Sequence, residues 1–556
     1  MPSGHTIGMP ALRMAYFAWV LCALFVAGRA RAHVVVADGA RDEWSLVLPV
    51  PANLGMIVRS VLGVGEYAWQ DALGDVRTDL GSASPGADIV ELRVTADLVN
   101  LSVMVQMADV VITQGNQAPM LQIALDLDGL TSSGASSFTG NAETQVGDSA
   151  RWERLVCTHF GSGGSAVVMD GAFTVVGAAS TGIDPASDVI EVVVPWSALG
   201  LDGPPATPVR FTVTSFLSDA GDNAIDIGGS AVSDALDAIT NYGDPRSSLY
   251  PSTLAELGDG RVDYAFDVTF SPATGEAESP WLLSEVLYNS AAASLEWVEV
   301  MNASFRPLSL DGMKLGDEET PDGSEGMRRF PAGNVVPPGA SVVAAISGPA
   351  FQTAYGYPPD FEVIAASPFV PDLPAYTAWA NGVFSLTNAG DELLLLDRWD
   401  TVLDVLNYGS GVWAGQFSHG QIPPEHSLER VPSRMDRNDC SLDFADRISP
   451  GPHPITADAP DPHGRGALAL SVFPNPLRRM LHLRLSLAQA GGMEVQVLDI
   501  AGRTVRAKSW SDLPGGEFDL PWDLADESGH GLPTGRYLVR VRAGSQTLVR
   551  AVSLVR

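Results

Sequence analysis

Short runs of apolar and β-branched residues, separated by Gly, Pro, Asp and Asn, recur along this chain and leave little room for long helices. The clearest runs are Val90 to Leu98, Leu101 to Met107, Val189 to Val194, Glu296 to Met301, Leu393 to Leu396 and Tyr537 to Val541. A period of two buries one face of a strand, and many short strands joined by turns are typical of sandwiches. The sequence therefore predicts an all-β chain of consecutive immunoglobulin-like β-sandwiches.

Two breaks rich in proline, glycine or serine divide the chain. The first is Ser271–Gly275, and the second, Pro450–Gly466, carries several prolines. Such composition is typical of interdomain linkers. We therefore predict three modules, at residues 33–275, 276–455 and 467–556, with a linker at 456–466.

The first 32 residues have the pattern of a secretory signal peptide. Arg13 precedes an apolar run at residues 15–28, and Ala30-Arg31-Ala32 fits a small-x-small cleavage site. The run is too short to span a bilayer comfortably, and no later segment is long and apolar enough. We predict a secreted or bacterial cell-surface protein with no transmembrane anchor. Cys157 and Cys440, far apart in the mature chain, are predicted to be buried thiols.

The charge is strongly negative and unevenly distributed. The chain has 33 basic and 66 acidic residues, a net charge of −33, which argues against nucleic acid as a partner. The first module holds 31 acidic residues against 9 arginines, a net −22. The last module holds 11 basic residues against 8 acidic ones and is slightly positive.

Acidic residues of the first module cluster in loop-like segments. Asp71 and Asp75 follow Trp69, and Asp126 and Asp128 lie in an Asp-Leu-Asp-Gly segment. Calcium prefers several oxygen ligands from flexible loops that contain glycine. These four residues are the predicted calcium ligands, while the alternative is that they only solvate the surface. Further acids that form such clusters are Asp79, Asp219, Asp222 and Asp226.

Four segments of the first module, residues 69–75, 87–94, 234–240 and 261–264, resemble the C-terminal domain of glucodextranase-type proteins. That domain is a sandwich related to family 9 carbohydrate-binding modules. The resemblance implies a glycan-binding or structural role with bound calcium. Sugar sites present aromatic faces, so Trp69, Trp152 and Trp196 are candidates, although a core position suits each equally.

The middle module resembles the lamin-tail domain of secreted bacterial proteins, through residues 282–289, 296–302, 308–317, 386–391 and 427–430. The resemblance implies an immunoglobulin-like sandwich that acts as an adhesion or spacer unit, without catalytic residues. Trp297 is a predicted core aromatic, and Asn388 to Asp391 a predicted tight turn. Glu296 and Glu299 should point to opposite faces of a strand, which excludes a paired acid site.

The C-terminal module opens with Phe473-Pro474-Asn475-Pro476, continues with a strand and turn at residues 495–503, and carries Gly535-Arg536-Tyr537. It resembles both the flagellar-hook-capping immunoglobulin-like domain and the sorting domains of the Por (type IX) secretion system. The second resemblance implies the secretion machinery as a partner. The alternative is a plain stalk domain.

Motifs of several enzyme classes are missing from the sequence. It has no His-Glu-x-x-His, no glycine-rich phosphate loop and no convincing Gly-x-Ser-x-Gly elbow. Cleavage after Ala32 leaves His33 at the N-terminus, where it could bind copper together with His159, but the following residues do not fit a copper monooxygenase. The sequence favours a non-catalytic protein with extracellular polysaccharide or surface proteins as partners. The alternative is an enzyme, or an accessory subunit, acting on extracellular polysaccharide.

Overall fold

The computed structural model describes most of the first two modules and the strands of the third. The predicted signal peptide and linker lie outside the described residues. The described ranges are 34–45, 54–59, 64–71, 73–77, 79, 85–111, 116–140, 142–160, 164–226, 233–240, 256–413, 415–453, 469–473, 480–487, 491–499, 503–513, 516–523, 532–543 and 546–554.

The prediction of an all-β chain is confirmed. Strands make up 43% of the structure and helices 7%, in several sheets. The helices are short, as the sparse helical periodicity predicts. Those whose bounds lie within the described residues are α1 (Gly348–Tyr355), α2 (Cys440–Asp443) and the 3-10 turns Pro85–Ala87, Asp148–Ala150, Trp196–Leu199 and Ala293–Leu295.

The first module contributes fifteen strands within the described residues. They are β1 (Met56–Arg59), β2 (Gly65–Gln70), β3 (Ile89–Ala96), β4 (Asn100–Met107), β5 (Asn116–Asp126), β6 (Gln145–Val146), β7 (Arg154–Thr158), β8 (Ala166–Met169), β9 (Val175–Asp184), β10 (Val189–Pro195), β11 (Val209–Asp219), β12 (Asp237–Ala238), β13 (Arg261–Val262), β14 (Phe266–Phe270) and β15 (Ala277–Glu278).

Most of these strands form two antiparallel layers. One layer has the order β1-β2-β3-β4-β10, and the other β8-β7-β5-β11-β14, with β12 also paired to β11. Strand β9 belongs to both, because Val175–Ala179 pairs with β8 and Ser180–Asp184 with β10. Alternate residues such as Leu92 and Val94 enter one continuous apolar core. Pairing of β15 with β14 carries the strand ladder to Glu278, three residues beyond the predicted end of this module.

The described part of the middle module contributes twelve strands. They are β16 (Trp281–Leu287), β17 (Trp297–Asn302), β18 (Leu308–Ser309), β19 (Lys314–Gly316), β20 (Met327–Arg329), β21 (Val335–Val336), β22 (Ser341–Ala345), β23 (Phe361–Glu362), β24 (Gly390–Leu396), β25 (Val402–Gly409), β26 (Ser427–Arg430) and β27 (Phe444–Arg447).

The described strands of the middle module form two larger sheets, in the orders β23-β22-β17-β16-β26-β27 and β20-β19-β24-β25, and the two-stranded sheet β18-β21. Trp297 is fully buried beside Phe351, which confirms its predicted core position. The backbone N–H of Gly390 donates to the Thr387 carbonyl at 3.2 Å, which closes the predicted turn before β24.

The first and middle modules share an apolar seam. The N–H of Val402 on β25 donates to the Gly55 carbonyl at 2.7 Å, and Met56 of β1 pairs with Val402 in parallel. A buried cluster crosses this junction and joins residues of both modules. Its members are Leu54, Met56, Val58, Ala68, Met327, Trp379, Ala380, Leu394, Leu396, Val402, Val405 and Trp413.

One of the two lysines in the chain is buried in the middle module. The Lys314 ammonium forms an ion pair with Asp400 and donates to the Asp397 carbonyl at 2.9 Å. It also lies 4.8 Å from the centre of the Tyr376 ring. The side chain is 4% exposed, so this cation is a structural group.

The C-terminal module has seven described strands. They are β28 (Ala469–Phe473), β29 (Met480–Leu487), β30 (Gly491–Asp499), β31 (Thr504–Leu513), β32 (Gly516–Asp523), β33 (Gly535–Ala543) and β34 (Gln546–Leu554). Their sheets have the orders β28-β29-β32 and β31-β30-β33-β34. No helix within the described ranges is long and apolar enough to cross a membrane.

Candidate metal centre

Three carboxylates of the first module converge where the chain leaves β2. Asp71 and Asp75 lie in the loop after β2, and Asp237 lies on β12, more than 160 residues later. One oxygen of each lies within 4.8 Å of an oxygen of the other two. Two oxygens bound to one calcium ion at about 2.3–2.6 Å are at most about 5 Å apart, so the spacing fits a shared ion.

Burial and like charge dominate the electrostatics of this group. Asp237 is fully buried, and that burial, followed by the charges of Asp71 and Asp75, raises its pKa well above the ordinary value. Its two oxygens accept the backbone N–H groups of Ile89 at 2.6 Å and Ala238 at 2.8 Å. These two bonds fix the orientation of the Asp237 carboxylate, and a carboxylate offers about four acceptor positions in all.

Asp88 supports the same loop and has an unused oxygen. It is 2% exposed, and its Oδ2 accepts the N–H of Gly74 at 2.8 Å, between Asp71 and Asp75. Its Oδ1 is buried and has no hydrogen-bond partner. Burial raises the pKa of this carboxyl. An unsatisfied buried carboxylate oxygen is costly, so an additional cation or water partner would stabilise this region.

A second cluster comprises Asp126, Asp128 and Glu153, whose carboxylate oxygens also lie within 4.8 Å of one another. Its charge is partly compensated, because Arg210 Nη1 lies 3.5 Å from Asp126. Asp126 Oδ1 also accepts the N–H groups of Asp128 at 3.1 Å and Gly129 at 2.7 Å. These bonds are those of a side chain that stabilises its own turn, so this cluster is the weaker candidate.

The four predicted ligands therefore occupy two separate places. Asp71 and Asp75 lie together in one cluster, and Asp126 and Asp128 in the other. Sequence reasoning missed Asp237 and Glu153, which complete the two groups. Asp237 could have been suspected, because apolar Leu236, Ala238 and Ile239 surround it and predict a buried charge that needs a partner.

The remaining clustered acids have other contacts. Asp79 forms an ion pair with Arg77 at 2.9 Å, and Asp219 accepts the backbone N–H of Gly221 at 2.7 Å. Asp222 lies 3.9 Å from the His159 ring, while Asp226 belongs to neither three-acid cluster. His33, the other half of the considered copper pair, lies outside the described residues.

The three tryptophans considered as sugar platforms are core residues. Trp69, Trp152 and Trp196 are each at most 1% exposed. The indole N–H groups of Trp69 and Trp196 donate to the carbonyls of Thr240 and Asp97. A buried ring presents no face to a glycan, so the core alternative is the correct one for all three. Cys157 and Cys440 are free and buried, as predicted.

Glu296 and Glu299 have separate surroundings. Glu299 accepts from the Ser284 hydroxyl at 2.8 Å and from the backbone N–H of His453 at 2.6 Å. Glu296 is buried, its Oε2 has no hydrogen-bond partner, and burial raises its pKa to about 8. The two acids do not form a pair.

Comparison with known families confirms the resemblance of the C-terminal module to the flagellar-hook-capping immunoglobulin-like domain. Residues 482–547 match the FlgD Ig-like domain. No curated protein matches the chain. The resemblances of the first two modules to glucodextranase-type and lamin-tail domains stay predictions.

Solved structures give only remote likenesses. A DUF4876 family protein from Bacteroides thetaiotaomicron is 13% identical, with 49% of this chain and 89% of that chain covered and a TM-score of 0.25. Dimeric latent PorU from Porphyromonas gingivalis is 12% identical, with 83% and 32% covered and a TM-score of 0.17. PorZ of the same organism, an essential surface component of its type-IX secretion system, is 11% identical, with 88% and 68% covered and a TM-score of 0.14. These TM-scores are too low to support any conclusion about this chain.

Proposed function

We propose that this chain is a non-catalytic, modular protein of the bacterial exterior whose first module binds calcium through Asp71, Asp75 and Asp237. The middle module serves as an adhesion or spacer unit, and the C-terminal module sorts or anchors the chain. The observation that carries the proposal is the convergence of three carboxylates from two distant segments, two of them buried. The partners of this three-module protein are extracellular polysaccharide or surface proteins.

Calcium suits this group for reasons of charge and ligand type. The three carboxylates can place up to three negative charges in a partly buried space. Burial and the charges of Asp71 and Asp75 raise the pKa of Asp237, so a bound cation would offset this repulsion. Hard oxygen ligands select calcium or magnesium over softer metals, and irregular loops favour the more tolerant calcium. The ion would join the loop after β2 to β12 and thereby stabilise this end of the sandwich.

Thermal unfolding of the full chain tests the site. A ligand that binds only the native state adds about 2.7 kcal/mol of stability at 100 times its dissociation constant. We therefore expect calcium to raise the unfolding temperature relative to excess EGTA. Asp237→Asn and the less buried Asp75→Asn should abolish this rise, whereas Asp128→Asn, in the second cluster, should preserve it.

Four results would count against the proposal. An identical unfolding temperature in calcium and EGTA overturns the calcium site, and loss of the response only in Asp128→Asn assigns it to the second cluster. Soluble product released from a polysaccharide panel by the purified chain overturns the non-catalytic assignment. Unchanged export after deletion of residues 467–556 overturns the sorting role.

A further inference from the structure

Strand β31 forms one edge of the four-stranded sheet of the C-terminal module, in the order β31-β30-β33-β34. Three alternate residues of β31 pair with residues of β30: Arg506 with Val497, Lys508 with Val495 and Trp510 with Met493. Directly paired residues share one side of a sheet, and alternate residues of a strand point the same way. The side chains of Arg506, Lys508 and Trp510 therefore form a single row, which we name the edge row.

The edge row is open to solvent although it lies on the core side of its sheet. Its three partners on β30 are at most 4% exposed. One strand further out, Lys508 is exposed, and Arg506 and Trp510 are partly exposed. The core side of the sheet is therefore covered at β30 and open at β31, so the edge row forms a ledge beside the core.

The edge row brings an aromatic ring and two cations together. Lys508 Nζ lies 5.4 Å from the centre of the Trp510 ring, within the distance at which a cation is attracted to an aromatic face. Successive side chains of the row are about 7 Å apart along the strand, because an antiparallel strand rises about 3.4 Å per residue. A ligand that reaches the ring can therefore contact the cations as well.

Protection of the sheet edge explains only part of this composition. Inward-pointing charges on an edge strand hinder its pairing with another chain, and that role accounts for Arg506 and Lys508. It does not account for Trp510, because tryptophan is enriched in buried positions and at binding interfaces. A ring beside two cations instead suits a ligand that combines an apolar face with negative charge.

We propose that the edge row binds an anionic polysaccharide, with a sugar ring on Trp510 and carboxylate or sulfate groups on Arg506 and Lys508. The assignment rests on the function proposed above, because it names the class of the extracellular polysaccharide and the place where it binds. The Arg506 guanidinium can hold an oxyanion through two parallel N–H bonds, whereas the Lys508 ammonium supplies a compact charge.

The charge of the C-terminal module is compatible with a polyanionic ligand. This module holds 11 basic residues against 8 acidic ones, whereas the first module has a net charge of −22. Salt screens exposed charges beyond about 8 Å at physiological ionic strength. The local charge of the edge row, and not the net charge of the chain, therefore governs the contact with a polymer.

Binding of the full chain to immobilised polysaccharides, in excess EGTA, tests the edge row. The EGTA prevents calcium from bridging a polymer and the acidic first module. Polygalacturonate supplies carboxylates, dextran sulfate supplies sulfates, and dextran is the uncharged reference. We expect the wild type to bind at least one charged polymer about tenfold or more tightly than dextran, with an affinity that falls as salt is added.

Substitutions separate the ring from the cations. Trp510→Ala should weaken binding about tenfold or more, because a tryptophan anchor is a frequent hot spot, whereas Trp510→Phe keeps a ring and should stay within about threefold. Arg506→Gln combined with Lys508→Gln should weaken binding about tenfold and flatten its salt dependence. Arg536→Gln combined with Arg542→Gln removes the same charge from exposed positions of β33 on the other side of the sheet, and should bind as the wild type.

Chemical protection locates the polymer on the wild type without any substitution. Saturating polygalacturonate or dextran sulfate, whichever binds, should slow the reaction of Lys508 with an amine-reactive reagent about tenfold, as followed by peptide mass spectrometry. Full reactivity of Lys508 under these conditions overturns the edge row, also when Trp510→Ala does not fold.

Two further results would overturn the edge row. One is the absence of binding to both charged polymers, or equal binding to dextran. The other is binding that survives both Trp510→Ala and the Arg506 and Lys508 double substitution, or that the β33 control weakens equally. This last result places the polysaccharide elsewhere on the chain, so it leaves the polysaccharide partner of the proposed function intact. The calcium site is tested separately, through the unfolding temperature.

Discussion

Truncation of Met56 to alanine tests whether the first and middle modules depend on each other through their seam. Met56 lies on β1 of the first module, is 1% exposed, and packs in the cluster that contains Leu394 and Val405 of the middle module. Removal of a fully buried methionine side chain costs about 2–5 kcal/mol, through lost apolar contact and the cavity that it leaves. Because residues of both modules line that cavity, the cost should appear in both.

Hydrogen exchange measured by mass spectrometry on the full chain reports this cost strand by strand. We expect peptides that cover β24 and β25 to exchange about 30-fold or more faster in Met56→Ala, since each 1.4 kcal/mol is a factor of ten. Met104→Ala is the matched control, because Met104 is equally buried in a separate cluster with Trp44 and Val189. Met104→Ala should accelerate amide exchange in β4 and β10 and change exchange in β24 and β25 far less. Faster exchange confined to β1 and β2 in Met56→Ala would refute the reasoning.

Two further substitutions probe buried charge. Arg93 is fully buried between Glu66, at 3.0 Å, and Glu91, so Arg93→Leu should cost about 3–5 kcal/mol in urea unfolding by leaving the buried Glu66 without its cation, whereas Glu91 keeps Arg41 at 2.7 Å. Arg151→Leu, which removes an exposed ion pair, should cost under about 1 kcal/mol. Burial raises the pKa of Glu296 from 4.5 to about 8, so the wild type should lose stability as the pH rises from about 5 to 8, and Glu296→Gln should lose less over this range. Parallel stability curves for the two proteins between pH 5 and pH 8 would contradict this assignment.

Local patterning predicted many strands closely. The run Val189 to Val194 became β10, Leu101 to Met107 became β4, and Tyr537 to Val541 lies within β33. Each of these segments carries its own signal, because alternation specifies a strand with one buried face without reference to the rest of the chain. The same signal placed Trp297 correctly in the core.

Local alternation of apolar and polar residues does not predict which distant segments pair. The parallel contact of Met56 with Val402 joins residues almost 350 positions apart, and nothing in the sequence of either segment indicates that it pairs with the other. The candidate calcium site shows the same limit. Asp71 and Asp75 were found because they share one loop, whereas Asp237 reaches them only through the pairing of β12 with β11.

The burial of Lys314 gives the chain an unusual chemical asymmetry. Lys314 and Lys508 are its only lysines, and Lys508, on β31 of the C-terminal module, is exposed. Among lysine side chains, an amine-reactive dye or a coupling resin therefore has one accessible target in the native protein. Labelling through that amine places the probe on the slightly basic module and leaves the acidic first module free of side-chain modification. Reaction at Lys314 then requires opening of the middle module, so its rate reports on that opening.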